Sequence, residues 1–107
     1  MDAKDVWNFV EETKFRNHTK YYRVEDWRGG MEVLQAKYRY SFVVKFKIFH
    51  GDVSVESSVD DITKIVFGVP NFDSERYIQL YAGKRFITHI PQENLVSLKL
   101  ERTYGVW

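Results

Sequence analysis

The chain has 107 residues, 44% of them apolar, 17% aromatic and 29% charged, with a net charge of +1. This length and apolar content suit one domain with a real core and argue against intrinsic disorder, and residues 1–107 are expected to fold as a single unit. Cysteine is absent, which excludes disulfides, thiolate zinc sites and a cysteine nucleophile and makes a cytoplasmic protein the expectation.

The opening residues Met1 to Asp5 lack the basic and apolar regions of an export signal, and no apolar run is long enough to span a bilayer. Charge is unevenly spread. Residues 1–13 carry −3, residues 14–49 carry +6, residues 50–76 carry −4 and residues 77–107 carry +2. Such blocks can mark an interaction surface, or they can neutralise one another across strands.

Asp2 as an N-cap, with Val6, Trp7 and Val10 on one side and Lys14, Arg16 and His18 at the end, predicts a helix over about residues 3–16. Tyr21 to Val24 follows as a short strand, and Gly29-Gly30 marks a tight connection. Next comes a long strand, beginning as early as Glu32 and ending at Phe49. Along its 37–49 stretch Tyr38, Tyr40, Phe42, Val44, Phe46 and Ile48 share one face, and Lys37, Arg39, Ser41, Val43, Lys45 and Lys47 share the other.

His50-Gly51-Asp52 supplies a turn and Val53 to Glu56 a return strand, which Ser57 to Asp61 interrupts. Ile62 to Phe67 reads as a strand and Gly68 to Ser74 as a loop. Tyr77–Tyr81 and Arg85–Ile90 form a second hairpin, and Leu95–Arg102 alternates apolar and polar residues as a last strand. The expected fold is therefore α+β: an N-terminal helix packed on a curved, mostly antiparallel sheet of about six strands, or a small partly closed barrel.

Three constellations are candidates for function. Lys37, Arg39, Lys45 and Lys47 could neutralise phosphates, yet the interleaved aromatics point to the opposite face, and acids from Glu56 to Asp61 could pair with the stripe. Trp27 and Arg28, beside Tyr21 and Tyr22, are side chains that anchor interfaces; the alternative is a lid over the core. Tyr104 and Trp107 could dock a partner or close the core.

No catalytic, cofactor or metal motif is present. Gly29-Gly30 lacks the spacing of a phosphate loop, His50 and Asp52 lack a third ligand, His18 and His89 stand alone, and Asp60 and Asp61 would face opposite ways on a strand. The expectation by elimination is a small non-enzymatic protein-binding or regulatory domain without cofactors, a profile that also suits a viral or mobile-element protein acting on a host component. The alternatives are a nucleic-acid-binding domain using the basic face of strand 37–49, and a structural subunit assembling through edge strands.

Overall fold

The computed structural model describes residues 17–26, 29–70 and 76–103. They form eight strands: β1 (Thr19–Asp26), β2 (Gly29–Ala36), β3 (Tyr40–His50), β4 (Val53–Ile62), β5 (Lys64–Pro70), β6 (Arg76–Ala82), β7 (Arg85–Pro91) and β8 (Leu95–Arg102). A three-residue 3-10 turn, Gln92–Asn94, joins the last two. With 82% of the described residues in strands, the α+β class is corrected to all-β; the helix expected at 3–16 lies outside the described residues.

The strands form two antiparallel sheets rather than one curved sheet or a barrel, and neither is closed. One has the order β1-β2-β5-β6-β7 and the other β4-β3-β8. Their core contains Leu34 and Ala36 of β2, Phe42, Val44 and Phe46 of β3, Ile62 of β4, Ile65 and Phe67 of β5, Ile78 and Leu80 of β6, and Ile90 of β7. The period-two pattern of β3 and β6 thus turns apolar side chains inward at alternate positions. Burying each large one stabilises the fold by about 1.5–3 kcal/mol.

The expected long strand is two strands in different sheets. Residues 37–40 make a turn, closed by the Tyr40 N–H donating to the Lys37 carbonyl at 2.9 Å, with Arg39 in the left-handed region at φ 68°. Lys37 and Arg39 therefore lie at a corner and not on a strand face, and Tyr38 is 67% exposed instead of joining the core. The Ser57 to Asp61 segment does not interrupt its strand either: β4 runs through it, with a bulge between Val59 and Ile62 where Asp61 takes φ 59°. Gly68 to Pro70, expected as loop, completes β5.

A second crossing between the sheets takes a single residue, Thr63, which is 2% exposed. Its N–H donates to the Tyr81 carbonyl at 2.8 Å, and its carbonyl accepts from the Ala36 N–H at 2.8 Å. Its hydroxyl oxygen accepts from the Gly83 N–H at 2.8 Å and reaches back to the Tyr81 carbonyl at 3.4 Å. The N–H and carbonyl thus reach β6 and β2, the two neighbours of β5, and the hydroxyl serves a turn N–H outside those ladders.

Replacing Thr63 by Val keeps the volume and strands the Gly83 N–H, so a loss of about 1–3 kcal/mol in urea unfolding is expected, whereas Thr63→Ser retains most of the stability.

Candidate functional site

Four of the sequence-derived candidates, Trp27, Arg28, Tyr104 and Trp107, lie outside the described residues. The other four do not form one stripe. Lys37 and Arg39 are exposed at the corner after β2, where the Arg39 guanidinium lies 5.3 Å from the Tyr38 ring centre. Lys45 and Lys47 are exposed on the outward face of the three-stranded sheet.

Strand order decides how cationic that face is. β4 lies directly beside β3, so Lys47 pairs across with Glu56 and Lys45 with Ser58, while Asp60 and Asp61 both lie opposite Val43. On the other side β8 contributes Lys99 and Glu101, bridged at 3.4 Å. Acids and bases alternate here, and opposite charges on neighbouring strands offset one another. The bulge also breaks the simple alternation that would turn Asp60 and Asp61 to opposite faces.

A different surface concentrates aromatic and basic side chains. Across the outward face of the five-stranded sheet, register partners form a row Lys20–Gln35–Lys64–Tyr81–Phe86. Alongside it runs a second row, Tyr22–Val33–Val66–Gln79–His89. Directly opposed residues in antiparallel strands share a face, so these ten side chains lie on one side of the sheet; Val33 is buried there at 3% exposure, and the other nine reach the surface. It carries two lysines, four rings and no acid.

Local contacts order this face. The Lys64 ammonium lies 4.3 Å from the Tyr81 ring centre, and Phe86 meets Tyr81 edge-on at 5.6 Å. His89 lies near-parallel to Phe86 at 6.4 Å and tilted against Tyr77 at 5.3 Å. The Tyr22 hydroxyl donates to Gln35 Oε1 at 3.3 Å, and the Tyr81 hydroxyl to Gln79 Oε1 at 2.9 Å. Two cavities open here: one of about 310 Å³ lined by Lys20, Gln35, Ala36, Lys37 and Tyr38, and one of about 200 Å³ lined by Val69, Pro70, Tyr77, Gln79 and His89.

Sequence reasoning missed this face although β6 signals it: Tyr77, Gln79 and Tyr81 alternate with the buried Ile78 and Leu80. The neighbouring strand hid its share. Simple alternation puts Arg85, Ile87 and His89 together, but the β6–β7 register shifts after Leu80, so Ile87 packs on the core and His89 faces out opposite Gln79.

At the end of the β1–β2 hairpin Arg23 and Glu25 form an exposed ion pair, and the Glu25 carboxylate raises the guanidinium pKa above its ordinary value. Exposure keeps its stabilisation small. Among the described residues no group of three His, Cys, Asp or Glu side chains could hold a metal ion, and no helix is long and apolar enough to cross a membrane. Comparisons with protein-family models, with curated proteins and with solved structures found no match for this chain.

The two faces of the sheet predict opposite outcomes for two phenylalanines. Phe86→Ala, at a half-exposed site, is expected to change unfolding free energy by less than about 1 kcal/mol, whereas Phe67→Ala, at 1% exposure, is expected to cost about 3–5 kcal/mol in the same urea titration.

Proposed function

We propose that this chain is a small binding domain that takes single-stranded nucleic acid on the outward face of its five-stranded sheet. One observation carries the reading: two adjacent rows across five strands present Tyr22, Tyr81, Phe86 and His89 with Lys20 and Lys64, without an opposing carboxylate. Rings offer stacking surfaces to any base, and ammonium groups beside them attract the phosphates between the bases. At a strand spacing of about 4.8 Å the sheet is about 19 Å across, enough for a few nucleotides. Lys84 and Arg85, in and just after the β6–β7 turn, extend the basic character at one end.

This reading moves the nucleic-acid hypothesis away from strand 37–49, where Glu56, Asp60 and Asp61 flank the lysines. A second reading, the protein-binding or self-assembling domain, attaches to the tip of the β3–β4 hairpin. β8 ends its pairing with β3 at Phe46, so the ribbon beyond stands clear of that sheet, with Ile48, Phe49, Val53 and Val55 exposed. Exposed apolar side chains beside a sheet edge suit a protein contact.

Anisotropy titrations with labelled oligonucleotides of about ten nucleotides across a salt series test the first reading. With four basic contacts from Lys20, Lys64, Lys84 and Arg85, log K is expected to fall against log salt with a slope of about −3. Lys20→Gln with Lys64→Gln should reduce that slope by about 1.4, and Phe86→Ala should weaken binding by about 5- to 100-fold. Charge reversal at Lys45 and Lys47 should leave affinity unchanged; absence of binding at low salt overturns the proposal. For the second reading, a mass in sedimentation that rises with concentration and falls back in a Val55→Lys variant supports assembly through the hairpin, and a monomer at every concentration counts against it.

A further inference from the structure

The larger cavity on this face lies at its β1 edge. Lys20 and Gln35 open the first of the two rows, and β1 is the last strand of this sheet among the described residues, so a strand laid along that row ends there. The cavity has about 310 Å³, at the small end of ligand pockets, and among the described residues its walls are Lys20, Gln35, Ala36, Lys37 and Tyr38, none of them a carboxylate. Backbone bonds hold the second lysine in place. The Lys37 N–H donates to the His18 carbonyl at 2.8 Å, its carbonyl accepts from the Tyr40 N–H at 2.9 Å, and the His18 and Tyr40 rings stack at 4.0 Å across the same corner.

The polar groups offered here are mainly donors. Each ammonium has three N–H groups, and the Gln35 carboxamide adds two while its oxygen receives the Tyr22 hydroxyl at 3.3 Å. Neither Lys20 nor Lys37 meets a carboxylate in an ion pair among the described residues. The complementary ligand is therefore an anion rich in acceptor oxygens. A phosphate monoester carries three such oxygens and a charge of about −1.5 to −2 near neutral pH, whereas a phosphate inside a nucleic-acid strand carries a single charge.

Resting on the nucleic-acid reading above, we infer that the cavity lined by Lys20, Gln35, Ala36, Lys37 and Tyr38 holds the terminal phosphate of a bound single strand. Lys20 and Lys37 supply the opposite charge, Gln35 supplies N–H donors, and the exposed Tyr38 ring forms a wall. Its place at the sheet edge makes this an end site. A strand no longer than the row reaches it with its last nucleotide, and Lys37 acts from the corner after β2 rather than from a strand face.

The test uses oligonucleotides of about five nucleotides, matched to the width of the sheet, with a phosphate at the 5′ end, at the 3′ end or at neither, at one low salt concentration. A phosphate at one of the ends is expected to tighten binding by about three- to tenfold. Lys37→Gln should remove that gain and leave the effect of a phosphate at the other end as it was, because the pocket receives one end of the strand. Lys45→Gln with Lys47→Gln removes twice the charge from the other sheet and should leave both effects unchanged, which separates the pocket from the net charge of the protein. No gain from either phosphate, or gains that folded Lys37→Gln leaves intact or lowers equally at both ends, overturns the terminal-phosphate pocket, while binding of the unphosphorylated strand leaves the sheet-face reading standing. Failure of all three to bind overturns the pocket, and failure of the ten-nucleotide strands as well overturns both.

Discussion

At Thr63 the chain leaves the three-stranded sheet and enters the five-stranded one within a single residue, and its buried polar groups are already held by strands of the sheet it enters. They are served by two strands and a turn: the carbonyl by Ala36 at the end of β2, the N–H by Tyr81 near the end of β6, and the hydroxyl by Gly83 in the turn beyond. A buried peptide group left unpaired would cost a sizeable part of a small domain's stability, so this crossing fixes the relative register of β2, β5 and β6. A similar logic holds at the other corner. There the Lys37 N–H donates to the His18 carbonyl and the Thr103 N–H to the Arg39 carbonyl, tying the start of β1 and the end of β8 to the turn between β2 and β3.

Register is what builds the outward face. Lys64 follows Thr63 directly and lies opposite both Gln35 and Tyr81, so the crossing that completes the core also sets Lys64 beside the Tyr81 ring. Sliding one strand by one residue would turn Gln79 and Tyr81 inward and Ile78 and Leu80 outward. The buried aliphatic pair prevents that slip, because its exposure would forfeit several kcal/mol of apolar burial. The face is thus held by the side chains that point away from it.

Strand-level pattern was legible because alternation is a local property of the chain. The hairpin of β6 and β7, the last strand and the inward Phe42, Val44 and Phe46 all follow from spacing in the sequence. The corners were not legible because residues without the usual turn signature occupy them. Arg39 and Asp61 hold positive φ where glycine or asparagine would announce a break, and Thr63 crosses between sheets inside a β-branched run. Without those breaks β2 and β3 read as one strand and the fold as one sheet. The site suffered for a related reason: its side chains come from β1, β2, β5, β6 and β7, and only strand order and bulges bring them into rows.

Strand order also separates the two lysine sets that sequence alone treats alike. Lys45 and Lys47 sit on a strand bordered by the acidic β4, so their field is partly cancelled within one strand spacing, well inside the screening length at physiological salt. Lys20 and Lys64 have a glutamine between them and rings beyond, and neither has an acid as a register partner. Local composition around the two sets is not what distinguishes them. The distinction arises because β4 returns beside β3 while β5 crosses to the other sheet at Thr63, carrying Lys64 away from Asp60 and Asp61 although only a few residues separate them in the chain. One crossing therefore closes the core and divides the acidic surface from the basic, aromatic one.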